Sequence, residues 1–139
     1  MRTRRQTALI GVGIVAGALV ILVGVAYIRT TPLSGASLCA NEVVQEARSP
    51  DGTRRAVVFE RDCGATTRKS TQLMILPADT VLPNEGGNVF VAYVDPALVQ
   101  VSWASANSLI LSRPQLPASS VFHEEPSADD VGITYLTRE

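Results

Sequence analysis

The sequence predicts one transmembrane helix followed by a small all-β domain of about six or seven mainly antiparallel strands. Two observations lead to this class. Residues 8–28 carry no charge over the roughly 20 residues that a helix needs to cross a bilayer. The rest of the chain alternates apolar and polar residues between turn formers, without the apolar period of an amphipathic helix. The mean hydropathy of +0.19 is high for a domain of this size, which also indicates a membrane segment.

The charges that flank this stretch predict its orientation. Arg2, Arg4 and Arg5 precede it, whereas only Arg29 follows it closely. The N-terminus is therefore expected in the cytoplasm and the C-terminal domain outside the cell membrane. The predicted divisions are a cytoplasmic N-terminus at 1–7, a transmembrane helix at 8–28, a tether at 29–38 and an extracytoplasmic β domain at 39–139.

A cleaved signal peptide is the alternative interpretation of the same stretch. The small residues Ser34, Gly35 and Ala36 suit a cleavage site, and cleavage would release the β domain. The apolar region of a signal peptide usually spans only about 7 to 15 residues, which favours a retained helix that acts as a signal anchor. Lipidation at Cys39 is disfavoured because Leu38 stands where a lipidation motif has a small residue.

The chain contains two cysteines, Cys39 and Cys63, and both follow the predicted helix. In an oxidising compartment an even count predicts a disulfide. Closing a loop of about 25 residues would stabilise the fold by roughly 3 to 4 kcal/mol in the chain-entropy model. A reactive thiol or a metal site is the alternative, and His123 is the only histidine that either one would have as a second group. A disulfide is therefore expected, with no metal and no cofactor.

The turn-forming residues and the alternation of apolar and polar residues predict where the strands lie. Residues 49–52, Ser-Pro-Asp-Gly, have the order of residues that a tight turn requires, so the strands on either side are expected to form a hairpin. Residues 104–107 are predicted to join a second hairpin. The predicted strands lie at 41–48, 54–62, 71–76, 88–94, 98–103, 108–112 and 131–136.

Two regions carry further expectations. Residues 88–94 are apolar on both faces, which predicts a central strand of the sheet. Residues 113–130 are rich in Pro and Ser, which predicts a long loop with at most a short strand at 121–122. The bulky residues expected in the core are Phe59, Phe90, Tyr93, Trp103 and Tyr135.

Residues 39–91 contain a series of short motifs. After the first cysteine come Ser-Pro-Asp-Gly, Ala-Val-Val-Phe, Arg-Asp-Cys-Gly-Ala-Thr-Thr, Thr-Gln and Asn-Glu-Gly-Gly-Asn-Val-Phe, at 49–52, 56–59, 61–67, 71–72 and 84–90. In these motifs the stretch resembles a family of small bacterial envelope proteins, which implies a short secreted or anchored domain and transfers no activity. Residues 49–52 and 103–111 are also similar to one hairpin of a TolB-type propeller blade. Because a propeller needs several blades, that likeness concerns the hairpin only.

The charge of the predicted outer domain limits its partners. After Arg29, eight basic residues face thirteen acidic ones, which gives a net charge of −5. Nucleic acid is therefore not an expected partner, since its recognition needs a basic face. The expected partners are the membrane, through the single span, and a protein of the cell envelope. Gly13 and Gly17 form a Gly-x-x-x-Gly pair through which two spans can pack as a dimer.

No set of catalytic residues stands out. A Ser-His-Asp triad would need His123, and the chain has no Gly-x-Ser-x-Gly motif. The residues predicted as a contact loop are Thr66, Thr67, His123, Glu124 and Glu125. The sequence favours a non-catalytic binding or structural module at the cell envelope. A small extracytoplasmic hydrolase with its site around 63–67 and His123 is the alternative.

Overall fold

A computed structural model of the chain describes residues 38–138, where nine strands form two β-sheets. The strands are β1 (Ala40–Arg48), β2 (Arg54–Asp62), β3 (Ser70–Pro77), β4 (Phe90–Ala92), β5 (Gln100–Ser105), β6 (Ser108–Pro114), β7 (Val121–Glu124), β8 (Ser127–Ala128) and β9 (Val131–Arg138). Two single-turn 3₁₀ helices lie at Pro96–Leu98 and Ala118–Ser120. The predicted all-β class is confirmed for this part of the chain.

The predicted transmembrane helix at 8–28, with its Gly13 and Gly17 pair, lies outside the described residues. Across residues 38–138 the structure contains no helix of the length and apolar character that a bilayer crossing requires.

The first sheet has the strand order β1-β2-β3-β4-β7, and every neighbouring pair in it is antiparallel. The predicted turn joins β1 to β2: the Ser49 hydroxyl donates to Asp51 Oδ1 at 2.6 Å and accepts from the Arg54 N–H at 3.0 Å. Gly52 has a φ of 73°, which a residue with a side chain rarely adopts. Val44 is an extra residue in β1 and forms a bulge opposite β2.

The second sheet has the order β5-β6-β9-β8 and contains one parallel pair, β6 with β9. Parallel neighbours need a long crossover connection. Residues 115–130 supply it: the chain leaves β6, adds β7 to the edge of the first sheet, and returns through β8. The short strand predicted at 121–122 is present as β7, which extends to Glu124, and three of its residues pair with β4. Two residues of β8 pair with β9, so less of this segment is loop than the sequence predicts.

The main core lies between the two sheets. Its largest fully buried side chains are Leu73 and Phe90 from the first sheet and Leu109 and Leu111 from the second. Two hydrogen bonds tie β1 to β5 at one margin: Trp103 Nε1 donates to the Ala47 carbonyl at 2.9 Å, and Val101 N–H to Gln45 Oε1 at 3.3 Å. At another margin, the Tyr135 hydroxyl donates to the Glu125 carbonyl at 2.7 Å.

A second, smaller apolar cluster lies on the outer face of the first sheet. Val57, Phe59, Met74 and Leu76 are buried there, and Leu82 from the β3–β4 connection packs on them. The connection, residues 78–89, therefore acts as a cover. The cover explains why β2 and β3 are apolar on both faces.

Two predictions about β4 need correction. The strand extends only over Phe90–Ala92 and not over 88–94, although it has the interior position that was predicted, between β3 and β7. Tyr93, which follows it, does not enter the main core; its ring lies half-buried at the surface next to Phe122. Phe59 is fully buried, but in the outer cluster.

Candidate functional site

The predicted disulfide between Cys39 and Cys63 is confirmed. It joins the residue before β1 to the residue after β2, at the open end of the hairpin. The Cys39 carbonyl also accepts a hydrogen bond of 2.7 Å from Asn84 Nδ2. The disulfide end of the hairpin is thus attached to the cover segment as well.

Hydrogen bonds from Asn41 and Arg61 hold the cover segment onto the first sheet. Asn41 Nδ2 donates to the carbonyls of Pro83 and Glu85 at 3.0 and 2.9 Å. Arg61 Nη1 donates to Asn41 Oδ1 at 2.6 Å and to Asn84 Oδ1 at 3.0 Å. These bonds fix one side of a surface cleft.

The cleft has a volume of about 240 Å³ and lies on the outer face of the first sheet. We call it the Tyr93 cleft. Gln72 and Val91, which are paired across β3 and β4, line it together with Tyr93. Thr67 and Arg68 contribute from the loop after β2, and Phe122 contributes from β7. Three segments that are far apart in sequence therefore meet here.

Two aromatic rings and a guanidinium group form the centre of the cleft. The rings of Tyr93 and Phe122 meet edge to face, with centroids 4.6 Å apart and an interplanar angle of 76°. The guanidinium carbon of Arg68 lies 4.8 Å from the Tyr93 ring centroid, a distance that allows a cation–π interaction. Phe122 is nevertheless 56% exposed. A large, exposed aromatic side chain beside a fixed cation is a typical feature of a recognition surface.

The cleft is positively charged, although the domain around it is acidic. Residues 38–138 contain eight basic side chains, of which five lie within 4.0 Å of a carboxylate. The three basic side chains of this part of the chain without such a partner are Arg61, Arg68 and Arg138. Two of these three line the cleft. Just outside it, the hydrogen bond from Lys69 to Glu60 raises the pKa of the lysine.

The predicted contact residues divide between two places. Thr67 lines the cleft, and its hydroxyl donates to the Gly64 carbonyl at 3.1 Å; Thr66 is exposed in the same loop. Cys63 also reaches the cleft, so the disulfide forms part of its boundary.

The other three predicted contact residues make structural interactions at the end of β7. Glu124 accepts from Arg113 Nη2 at 2.8 Å, and Glu125 supplies its carbonyl to Tyr135. His123 Nδ1 lies 3.7 Å from a carboxylate oxygen of Glu125. None of the three lines the cleft, whereas their neighbour Phe122 does.

Sequence reasoning missed Arg68, Phe122 and the role of Tyr93. Phe122 carried a usable signal, because it is a bulky aromatic residue in a possible two-residue strand between Pro-rich and acidic residues. Arg68 carried none, since only the structure shows that no carboxylate of residues 38–138 pairs with it.

The described residues offer no arrangement of catalytic or metal-binding groups. In residues 38–138 no three His, Cys, Asp or Glu side chains are grouped as metal ligands. Both cysteines are in the disulfide, and His123 makes its contact with a carboxylate rather than with a hydroxyl group. Burial, with the nearby charge of Glu124 as a smaller cause, raises the pKa of Tyr135, so this phenol stays protonated.

A larger groove of about 550 Å³ lies on the outer face of the second sheet. The bulge residue Val44 lines it with Gln100, Ser102, Ile110 and Leu136. Its lining contains no charged side chain and no aromatic ring. The groove therefore offers less for specific recognition than the Tyr93 cleft, in spite of its size.

Fold and site together define a small two-sheet β domain with a cationic, aromatic surface cleft. No protein-family model matches the chain, and no curated protein or solved structure matches it. The resemblance to small envelope proteins stays a prediction.

Proposed function

We propose that the chain is a single-pass membrane protein whose extracytoplasmic domain is a non-catalytic binding module. In this proposal the domain contacts a protein of the cell envelope through the Tyr93 cleft. The observation that carries the proposal is the meeting of an exposed aromatic side chain, Phe122, with two arginines that have no carboxylate partner within residues 38–138.

The composition and the size of the cleft favour a protein partner. Tyr, Phe and Arg are the side chains enriched at the centre of protein interfaces. Pockets for small molecules usually enclose about 300 to 1,000 Å³, whereas this cleft has a volume of about 240 Å³. Room for one or two side chains fits a partner that is anchored there and makes further contacts around the rim.

The location proposed for the domain rests on the sequence and on the disulfide. Residues 8–28 have the length and composition of a membrane span, and the arginines before them favour a cytoplasmic N-terminus. A structural disulfide between Cys39 and Cys63 is typical of proteins outside the cytoplasm. Both features support an extracytoplasmic domain.

The location has a direct test. Fusions of alkaline phosphatase and of a cytoplasmic fluorescent reporter are made to the C-terminus of the full chain. We expect the phosphatase fusion to be active and the fluorescent fusion to be dark. The opposite pair of results would contradict the proposed orientation.

Partner binding is tested by recovery from crosslinked membranes. The tagged full chain is compared with Phe122→Ser and with Leu136→Ser, which removes a similarly exposed apolar side chain, 47% exposed, from the other sheet. We expect the same partner protein from wild type and Leu136→Ser, and at least about tenfold less from Phe122→Ser, because an aromatic anchor carries much of the binding energy. Equal recovery from all three, or a loss with Leu136→Ser alone, would contradict the proposal.

A further inference from the structure

We infer that the Tyr93 cleft recognises a partner segment in which a carboxylate side chain lies next to a bulky apolar side chain. This inference rests on the proposed function and names the chemistry of the partner. The apolar side chain covers Phe122 and Tyr93, and the carboxylate pairs with Arg68.

The apolar half of the inference follows from the lining of the cleft. Val91, Tyr93 and Phe122 line the same cleft, and the edge-to-face arrangement of the two rings leaves Phe122 more than half exposed. An aliphatic or aromatic side chain placed there removes apolar area from water on both partners. The cleft volume suits one such side chain.

The charged half follows from the state of the two arginines. Arg61 Nη1 already donates hydrogen bonds to Asn41 and Asn84. Arg61 therefore adds positive charge to the cleft, but its Nη1 group is not free to bind a partner. Arg68 stacks on Tyr93 and has no carboxylate within 4.0 Å among the described residues. Its guanidinium can therefore bind an incoming carboxylate through two parallel hydrogen bonds.

The loop that carries Arg68 is already ordered, which lowers the cost of binding. Gly64 N–H donates to Asp62 Oδ1 at 2.9 Å, and Thr67 N–H donates to the Gly64 carbonyl at 3.1 Å. The disulfide at Cys63 fixes the start of the loop. Less ordering is thus required of Arg68 when the partner docks.

The charge of the domain argues for a local carboxylate and against an extended polyanion. The predicted outer domain has a net charge of −5, which repels anionic membranes and nucleic acid over a distance of about one Debye length. The lining of the cleft contains Arg61 and Arg68 and no acidic side chain, so it attracts an anion locally. A single Asp or Glu beside an apolar residue can pair with the cleft and is too small an anion to be repelled as a membrane or a nucleic acid would be.

The test uses a phage library of random heptapeptides selected on the full chain in nanodiscs of neutral phosphatidylcholine. We expect an enriched consensus that contains Asp or Glu within two positions of Phe, Trp, Tyr or Leu. Selection of basic peptides, of apolar peptides without an acidic residue, or of no consensus would overturn the inference. So would binding of soluble cell-wall glycan fragments to the chain in place of peptides.

The enriched peptide is then labelled and titrated against variants of the full chain. Arg68→Gln should weaken binding at least about tenfold, since a hydrogen-bonded charge is lost, and Arg68→Lys should retain part of the affinity. Arg48→Gln is the matched control and should leave binding unchanged. Arg48 lies 4.0 Å from Asp79, at the end of β1 that is remote from the disulfide and the cleft. Equal affinity for wild type and Arg68→Gln would overturn the role of Arg68.

The outcomes separate the inference from the proposed function. A partner that depends on Phe122 in crosslinked membranes, without an acidic and apolar peptide consensus, would refute the inference and leave the binding module intact. Failure of both experiments would refute the binding module as well.

Discussion

Asn88 completes the hydrogen bonding of Ile75 as a neighbouring strand would. Its Oδ1 accepts from the Ile75 N–H at 2.9 Å, and its Nδ2 donates to the Ile75 carbonyl at 3.0 Å. The β3–β4 ladder ends at the pair of Leu73 with Phe90, so the amide side chain extends the pairing beyond the backbone of β4. The cover segment can therefore leave the sheet without exposing unpaired groups of β3.

Substitution of Asn88 tests this role. Asn88→Ala leaves the N–H and carbonyl of the buried Ile75 unpaired, which we expect to reduce the free energy of unfolding by about 1 to 3 kcal/mol. Asn88→Asp keeps the acceptor but sets a carboxylate against the Ile75 carbonyl, so it should also destabilise the domain at neutral pH. Urea unfolding of the full chain, followed by the fluorescence of Trp103, the only tryptophan, measures both effects. Wild-type midpoints for both variants would show that Asn88 is dispensable.

The adjacent glycines at the end of the cover segment should respond differently to alanine. A Cβ at Gly87 would lie 2.6 Å from the Leu73 carbonyl oxygen and 3.0 Å from that of Phe90, and these backbone atoms cannot move aside cheaply. At Gly86 the nearest atom is Gln72 Oε1 at 3.5 Å, an ordinary contact. We expect Gly87→Ala to cost about 1 to 3 kcal/mol and Gly86→Ala to stay within about 0.5 kcal/mol. Similar unfolding midpoints for the two variants would contradict the close approach.

The turn between β1 and β2 makes stability depend on pH in the acidic range. The hydrogen bond from the Ser49 hydroxyl, followed by that from the Thr53 N–H, lowers the pKa of Asp51 below its ordinary value of 3.8. The carboxylate therefore stabilises the fold above the unfolded pKa, and this contribution is lost as the pH falls through the folded pKa.

Asp51→Asn should accordingly lower the unfolding midpoint at pH 7, and its difference from wild type should shrink below about pH 4. Asp79→Asn serves as the control because the Asp79 side chain is 98% exposed. A difference between Asp51→Asn and wild type that stays constant from pH 7 to pH 2 would contradict the hydrogen-bonded turn.

Removal of the disulfide should destabilise the domain without changing its fold. Replacing Cys39 and Cys63 together by Ser opens a loop with a sequence separation of 24 residues. The chain-entropy model gives a loss of about 3.5 kcal/mol in the free energy of unfolding. The loss should match that of wild type treated with a reductant. An oxidised wild type that unfolds at the same urea concentration as the double variant would contradict a stabilising bridge.

The parts of the fold that depend on residues close together in the sequence could be predicted. The turn at 49–52 requires only its own Pro, Asp and Gly, and the β1–β2 hairpin follows from it. The disulfide followed from an even cysteine count. The parallel pairing of β6 with β9 could not be predicted, because it depends on where residues 115–130 travel between the two sheets.

The candidate site was harder to predict for the same reason. A strand that is apolar on both faces is covered on both, but this pattern does not show what covers each face, so the sequence predicts Tyr93 in the core. The cover segment instead buries the outer faces of β2 and β3 and leaves Tyr93 at the surface. Arg68, Tyr93 and Phe122 lie on three separate segments, and only their tertiary contacts make them one site.

Photo-crosslinking from single positions tests most directly whether the Tyr93 cleft is the binding surface. A photoreactive phenylalanine analogue replaces Thr67, at the cleft, or Ser102, on the outer face of the second sheet; both side chains lie at exposed positions. In the cells that produce the chain, we expect a discrete crosslinked protein from position 67 and none from position 102. A crosslink from position 102 alone, or from neither position, would contradict the central claim.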